Sequence, residues 1–379
     1  MRIGKGAKII LIIIAVLLLC CAALAVYVLL LPDPAPAEAA AGTAAPTQAP
    51  DGTPAPLYED NDLQAIEGTP LPEELTSRTG EEALPDGVYN ILFVGTDSRY
   101  AEDTEAEGLS DSMMVVSYDT TKDTITLVSF MRDSCVMRIG ENTGWMGKLN
   151  AAYKNGGPDE LVATLNLNFE LGIKDYVAVG YDGFEMLIDE LGGIDVPITS
   201  EEAYLINWRC AGIGQDGNKD GRLSQLQSLG LPAAEEGYEG TKVQHLTGLQ
   251  ALWYARNRTS PSADGEAGSD TVRVNRQQTL MMLIYEKVKT EKTLDTAMAL
   301  IRFAIGYVKT DMDLVTMTRI GTAIYTAEDI QFVNVRVPFE GSYRLGDWTQ
   351  GEIAWALYFD IDETGAQLRE ILYGTDEKR

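Results

Sequence analysis

The chain has 379 residues, of which 57 are acidic and 30 are Lys or Arg, so its formal net charge is −27. Such an acidic chain lacks the basic face that nucleic acid demands, which argues against a nucleic-acid partner. His245 is its single histidine, which argues against a Ser-His-Asp arrangement and against a histidine-rich metal site.

The amino terminus predicts a membrane anchor. Residues 9–31 form an uninterrupted apolar run, about 34 Å long as a helix at roughly 1.5 Å per residue, which is enough to cross a bilayer. Three basic residues precede it, so the positive-inside tendency places the amino terminus in the cytoplasm. A cleaved signal peptide is the alternative, although its apolar region is usually shorter and ends at small residues. We therefore expect a single-pass protein of the cell membrane, with residues 1–31 as stub and span.

The rest of the chain divides into a spacer and a globular part. Residues 32–86 are rich in Ala, Pro, Thr and acidic residues, a composition that cannot bury enough apolar surface to fold. Residues 87–375 are long and apolar enough for a large extracytoplasmic domain. Cys135 and Cys210 both lie in this part, where a disulfide can form, but the sequence does not tell whether they meet.

Strands alternate with helices through the domain, which indicates a layered α-β-α fold around a central mixed β-sheet. Apolar runs predict strands at 89–94, 113–118, 124–131, 176–181, 194–196 and 331–337, and helices at 159–171 and 184–191. Thr247 and Gln250 form a capping box for a helix that ends near Arg258. Asp270 is expected to cap the next helix, about 271–287, and a last helix is expected near 348–358 or beyond.

Four arginines gather in one stretch of this acidic chain: Arg256, Arg258, Arg273 and Arg276. Like charges this close repel unless an anion or carboxylates lie between them. The planar guanidinium suits phosphate oxygens, so the cluster predicts a phosphate-binding site. A structural salt-bridge network with Asp270 is the alternative interpretation.

A pair of aspartates predicts a metal site. Asp97 follows one strand and Asp111 precedes the adjacent one, so both are expected at the same edge of the sheet. Two carboxylates with open coordination positions suit Mg²⁺, which keeps waters and binds substrate phosphates. An ordinary turn aspartate is the alternative for Asp97.

Eight segments resemble successive motifs of the LytR–CpsA–Psr family, in the family's order across residues 88–285. They include Gly95-Thr96-Asp97-Ser98-Arg99 and Tyr254-Ala255-Arg256-Asn257-Arg258, and together they occupy 90–99, 110–114, 129–133, 148–153, 189–196, 245–252, 254–258 and 270–278. The amino-terminal span and spacer also match the family's layout. The resemblance implies an α/β enzyme that works outside the cytoplasmic membrane.

The activity implied by the resemblance is that of a cell-wall ligase. Such enzymes transfer a glycopolymer, for example a teichoic acid or a capsule, from a polyprenyl-pyrophosphate carrier in the membrane lipid to a hydroxyl of peptidoglycan. By resemblance, Asp97 and Asp111 hold Mg²⁺ while Arg132, Arg256 and Arg258 grip the pyrophosphate. Further polar positions of the site match the following residues: Arg99, Asp270, Arg273, Arg276 and Gln277.

One position departs from the family pattern. Leu109 stands directly before Ser110-Asp111, where the family usually carries an arginine. This loss leaves two alternatives to the ligase: a non-catalytic binder of polyprenyl pyrophosphate or wall polymer, and a pyrophosphatase that releases the polymer to water.

A separate motif suggests a weak calcium site. Residues 216–224 place oxygen ligands at alternate positions, through Asp216, Asn218 and Asp220, with Gly221 sixth. The twelfth position is Gln227 rather than a bidentate glutamate. A flexible polar insertion is therefore the alternative interpretation.

Overall fold

The computed structural model describes residues 84–96, 110–139, 144–212, 219–261, 269–291, 293–327, 329–347 and 351–374. The predicted membrane segment 9–31 and the spacer up to residue 83 lie outside these ranges. No helix in the described part of the chain combines the length and apolar character needed to cross a bilayer.

Strands and helices alternate along these residues. The strands are β1 (Val88–Thr96), β2 (Ser110–Asp119), β3 (Thr124–Phe130), β4 (Cys135–Ile139), β5 (Gly144–Lys148), β6 (Asp175–Val179), β7 (Ile194–Thr199), β8 (Thr241–Leu246), β9 (Val308–Thr310), β10 (Gln331–Val337), β11 (Tyr343–Leu345) and β12 (Leu357–Phe359). The helices are α1 (Asn150–Phe169), α2 (Tyr181–Glu190), α3 (Ser200–Ala211), α4 (Lys219–Ser228), α5 (Gly248–Ala255), α6 (Asp270–Thr290), α7 (Leu294–Tyr307), α8 (Leu314–Thr326) and α9 (Ile361–Tyr373).

A six-stranded mixed sheet forms the centre, in the order β10-β3-β2-β1-β6-β9. The strand pairs β1–β6 and β3–β10 are parallel, whereas β2 runs antiparallel to both of its neighbours. The hairpin predicted between β2 and β3 is present, and Asp119 Oδ1 accepts hydrogen bonds from the backbone N–H groups of Thr121 and Lys122 at its turn. The prediction of a mixed sheet is confirmed.

Side-chain alternation explains why helices pack on both faces of this sheet. In β1, Ile91 and Phe93 enter one apolar cluster, while Leu92 and Val94 enter the other. The first cluster includes side chains of α2, α3, α5, α6, α7 and α8, and the second includes those of α1 and α9. Successive residues of a strand point to opposite faces, so a strand that is apolar throughout must be covered twice.

Several predicted elements differ from the observed ones. The last helix lies beyond 348–358, because residues 357–359 form β12 and the helix begins at Ile361, where Asp360 accepts a hydrogen bond from Glu363 N. Helix α1 starts at Asn150, earlier than predicted, and carries a kink with non-helical angles at Gly156 and Gly157. The β4–β5 hairpin, β8, α3 and α4 were not predicted.

Candidate functional site

The candidate site lies along one edge of the central sheet. Parallel pairing places the carboxyl ends of β1 and β6 together, and likewise those of β3 and β10. Because β2 is antiparallel to β1 and β3, it begins at this same edge with Ser110. In open α/β sheets, ligands bind at the carboxyl ends of the strands.

The backbone around the two predicted metal aspartates meets at this edge. Thr96 pairs with Ser110 after a register shift between Gly95 and Thr96. Asp111 is therefore the second residue of β2, and Asp97 follows Thr96 but lies outside the described residues, as do Arg99 and Leu109. Within the described residues, no three acidic, histidine or cysteine side chains are grouped so as to hold a metal. The Mg²⁺ site stays a prediction.

Gln277 connects helix α6, which carries Arg273 and Arg276, to strand β2, which carries Asp111. Its Oε1 accepts a hydrogen bond from Ser112 Oγ at 3.3 Å, and the Gln277 side chain is buried. Its Nε2 is also buried and has no hydrogen-bond partner within the described part of the chain. An amide donor buried without a partner is costly. This donor is therefore suited to an oxygen ligand at the sheet edge.

Asp270 holds two of the predicted arginines together. Its Oδ2 accepts a hydrogen bond from Arg273 at 2.7 Å, and its Oδ1 lies 3.4 Å from Arg258 Nε. The Arg273 side chain is 2% exposed, whereas that of Arg258 is 33% exposed. Arg258 is thus the more accessible cation of the two, and the carboxylate orients it.

Ser269, rather than Asp270, caps helix α6. Ser269 Oγ accepts a hydrogen bond from Val272 N at 3.2 Å, and Asp270 is the first helical residue. The sequence prediction of Asp270 as the cap was therefore off by one residue. The shift has a functional consequence, since it leaves the Asp270 carboxylate to bind arginines instead of backbone N–H groups.

Arg256 is stacked on aromatic rings. Its guanidinium carbon lies 5.0 Å from the centre of the Tyr181 ring and 4.5 Å from that of Trp253. Tyr181 begins α2 directly after the carboxyl end of β6, so the stack places Arg256 at the sheet edge. Stacking uses the face of the guanidinium, while the N–H groups that bind phosphate lie in its plane.

Arg132 and its neighbours bring charge to the β3 end of the edge. Arg132 comes two residues after the end of β3, and its Nε lies 3.3 Å from Asp133 Oδ2. Asp133 Oδ1 lies 3.1 Å from Nζ of Lys148, whose side chain is buried. Lys148 is a cation that the sequence analysis did not assign to the site. Its place at the start of the 148–153 motif, at the end of β5, was the available signal.

Arg276 does not face the site, and its assignment to substrate binding is not supported. Its Nε donates to Glu202 Oε1 at 2.7 Å, and its terminal nitrogens donate to the carbonyls of Asn257, Ser260 and Pro261. The Arg276 and Glu202 side chains are only 3% and 2% exposed. The salt-bridge interpretation named Asp270 as the carboxylate, but the partner of Arg276 is Glu202, and Arg276 fixes the loop after α5.

The remaining sequence predictions concern the calcium motif, the two cysteines and the histidine. Asp216 and Asn218 are outside the described residues, and the backbone of Asp220 lies in α4, which begins at Lys219, so the calcium site stays a prediction. Cys135 and Cys210 are both buried and free. His245 is exposed and its Nδ1 lies 2.7 Å from Asp195 Oδ1.

The comparisons with known proteins agree on one family. The model of the LytR_cpsA_psr family matches residues 62–368. The polyisoprenyl-teichoic acid–peptidoglycan teichoic acid transferase TagV of Bacillus subtilis (strain 168) is 30% identical over 202 residues, which cover 53% of this chain and 44% of that protein. The regulatory protein MsrR of Staphylococcus aureus (strain COL) is 26% identical over 260 residues, which cover 68% of this chain and 67% of that protein.

The same fold occurs in a solved relative. The crystal structure of B. subtilis TagV aligns with a TM-score of 0.51 and 26% identity, over 77% of this chain and 100% of that one. The present chain thus spans less than half the length of the curated TagV sequence that it matches, but the whole of the crystallised part.

Proposed function

Since the chain belongs to the LytR_cpsA_psr family, we propose that it is a phosphotransferase that attaches a glycopolymer to the cell wall. The donor is a polyprenyl-pyrophosphate-linked glycan, and the acceptor is a hydroxyl of peptidoglycan. TagV, whose name states such a transfer for teichoic acid, supports the choice of donor and acceptor class. The predicted span at 9–31 would hold the domain at the outer face of the cell membrane, where the lipid-linked donor resides.

One observation carries this proposal: the hydrogen bond between Gln277 and Ser112. It joins helix α6, which carries Asp270 and Arg273, to strand β2, which carries Asp111. Because Asp270 also lies 3.4 Å from Arg258 Nε, the bond supports a site in which cations for phosphate and a carboxylate for a metal lie near one edge of the sheet. A pyrophosphate with its metal ion requires both.

The residues have distinct roles in this proposal. Arg132, Arg256 and Arg258 bind the pyrophosphate oxygens, because phosphoryl transfer depends mostly on positioning and on neutralising charge. Asp97 and Asp111 would hold Mg²⁺, which when bound neutralises phosphate charge and orients the oxygens. The carboxylate oxygens of Asp270 contact two guanidinium groups, so we assign it to positioning Arg258 and Arg273 rather than to accepting the proton.

The transfer exchanges one P–O bond for another. The acceptor hydroxyl oxygen attacks the sugar-side phosphorus, and a new bond from that oxygen to phosphorus forms. The bond from the same phosphorus to the bridging oxygen breaks, and polyprenyl phosphate leaves with that oxygen. The hydroxyl proton passes to one of the two aspartates proposed for the sheet edge, Asp97 or Asp111. The product is a phosphodiester between the wall and the polymer.

Replacement of the two accessible arginines tests the proposal. With the full chain in detergent, lipid-linked polymer and peptidoglycan, Arg256→Ala combined with Arg258→Ala is expected to lower transfer by roughly a thousandfold or more. Arg302→Ala is the matched control, since Arg302 is exposed and pairs with Glu190 on α2. Full activity of the double variant would contradict the mechanism.

The same assay distinguishes the transferase from the two alternatives, a binder and a pyrophosphatase. Without an arginine before Ser110-Asp111, the site has one phosphate-binding arginine fewer than the family pattern. A binder would retain the donor without Mg²⁺-dependent turnover, and a pyrophosphatase would release free polymer with polyprenyl phosphate. Only the transferase leaves polymer covalently bound to peptidoglycan.

A further inference from the structure

A cavity of about 470 Å³ lies beside the candidate site. It is formed by the first turns of α3, by the segment before β8 and by the loop after α5. Its lining includes Glu201, Tyr204, Leu205, Glu236, Thr259 and Ser260. Thr259 directly follows Arg258 in the chain, so the cavity and the arginine site share one loop.

Buried polar side chains hold all three walls. Thr199 and Glu202 form a reciprocal capping box at the start of α3. Asn207, which is fully buried, accepts a hydrogen bond from Ala234 N and donates to Glu236 Oε1. A cavity whose walls are fixed before binding spares the ligand the entropic cost of ordering them.

The wall nearest the arginines has two anchors. Asn257 Oδ1 accepts hydrogen bonds from the N–H groups of Thr259 and Ser260, both at 3.0 Å. Arg276 donates to Ser260 O at 2.8 Å while it is paired with Glu202. The Arg276–Glu202 pair therefore connects the loop wall to the α3 wall.

The chemistry of this cavity is opposite to that of the arginine site. Glu201 and Glu236 bring carboxylates, Thr259 and Ser260 bring hydroxyls, and Tyr204 presents a ring that is 45% exposed. Carboxylates repel phosphate but accept hydrogen bonds from hydroxyl and amide N–H groups. An exposed tyrosine offers an apolar face together with a polar end. This combination suits a neutral, hydroxyl-rich ligand rather than a pyrophosphate.

We propose that this cavity binds the acceptor glycan, as a subsite for a neutral amino-sugar unit of the peptidoglycan strand. The inference rests on the proposed function and adds the position of the acceptor to it. The donor pyrophosphate lies on the arginine side of the 256–260 loop, and the acceptor strand lies on the carboxylate side. Opposite charges on the two sides keep the anionic donor out of the acceptor subsite.

Direct binding tests this proposal separately from turnover. The probe is peptide-free glycan strand whose lactyl carboxyl groups have been amidated, so that the strand is neutral, titrated calorimetrically into the full chain in detergent. Tyr204→Ala is expected to weaken strand binding by roughly tenfold, and Tyr204→Phe to retain most of it. Thr259→Trp, which fills the cavity, is expected to abolish binding. Ile371→Ala is the control, because Ile371 is similarly exposed at 47% but lies on α9.

The arginine variants separate this inference from the proposed function. Arg256→Ala with Arg258→Ala should leave strand binding intact while it abolishes transfer. In the transfer assay, Tyr204→Ala should raise KM for the strand and leave KM for the lipid-linked donor unchanged. If the wild type fails to transfer polymer but binds the strand through Tyr204, the proposed function falls and the subsite stands.

Three results would overturn the subsite. The first is no binding of the strand to the wild type at millimolar concentration. The second is binding that neither Tyr204→Ala nor Thr259→Trp reduces, with both variants shown by circular dichroism to be folded. The third is a loss of donor binding instead of strand binding in these two variants.

Discussion

Arg276 and Glu202 form a buried ion pair, with Nε and Oε1 2.7 Å apart, between helices α6 and α3. The same guanidinium donates to three carbonyls of the loop that follows Arg256. Burial also raises the pKa of the adjacent Tyr254 hydroxyl, and the negative charge of Glu202 adds to this effect. The pair thus fixes a loop that carries Arg258 on one side and the cavity wall on the other.

Removal of one charge of this pair is expected to destabilise the fold strongly. Glu202→Gln keeps the size of the side chain and can keep the capping box, but it leaves the Arg276 charge buried without its partner. We expect a loss of about 3–5 kcal/mol in the free energy of unfolding, measured by urea denaturation followed by tryptophan fluorescence. Thr199→Ala, which breaks only the cap, should cost about 1 kcal/mol. Equal losses in the two variants would contradict a dominant role for the ion pair.

The two adjacent glutamines of α6 should respond differently to the same substitution. Gln277 faces Ser112 with a buried, unpartnered Nε2, whereas Gln278 Nε2 lies 3.2 Å from Ser129 Oγ within the core. Gln277→Met removes a donor suited to the ligand, so transfer should fall by roughly ten- to a hundredfold, while the lost hydrogen bond from Ser112 should cost about 1 kcal/mol in stability. Gln278→Met should lower the urea midpoint without a comparable loss of transfer by the folded protein. Normal transfer by folded Gln277→Met would show that this amide does not contact the ligand.

The central sheet could be predicted because its signal is local. The strands β1, β3, β6 and β10 are short apolar runs ended by turn residues, and their predicted limits agree with the observed ones to within a few residues. The predicted meeting of two strand ends near Asp97 and Asp111 followed from the succession of two adjacent strands, because Asp97 follows one and Asp111 precedes the next. Here the pairing of Thr96 with Ser110 supports the backbone part of that prediction.

The role of Arg276 could not be predicted because its partner is distant in the chain. Glu202 precedes it by 74 residues, whereas the sequence grouped Arg276 with the three arginines close to it in the chain. Likewise, the apolar residues near Tyr358 resembled a helix, but β12 forms there by pairing with β11. At both positions the structure depends on a contact with a residue elsewhere in the chain, and the local sequence pattern does not show which residue that is.

The stack beneath Arg256 should control how well that arginine is positioned. Trp253→Ala removes one ring from the stack, and we expect transfer to fall by roughly tenfold through kcat, in line with a cation–π contact of ~1–2 kcal/mol. Trp253→Phe should restore most of the activity, because a flat ring is present again. Trp355→Ala is the control, since Trp355 is 47% exposed in the segment before β12. The positioning role would be refuted if Phe restored no more activity than Ala.

Burial should keep the two thiols protonated and unreactive in the folded protein. Burial raises the pKa of Cys210 from 9.0 to about 12 and also raises that of Cys135. Only roughly one in ten thousand Cys210 side chains is then the reactive thiolate at pH 8 in the folded state. In Cys20→Ala/Cys21→Ala protein, we therefore expect the aromatic disulfide reagent DTNB to react with these thiols only after urea is added.

The sign of the pH dependence follows from the same shift. The unfolded thiol ionises near pH 9 whereas the folded one does not, so stability contributed by a neutral buried Cys210 is complete below pH 9 and declines as pH rises towards 12. Urea midpoints measured from pH 7 to pH 10.5 should fall above pH 9, and Cys210→Ala should reduce the slope of that fall. Rapid DTNB reaction in native protein, or an identical slope in Cys210→Ala, would contradict the buried, neutral state of this thiol.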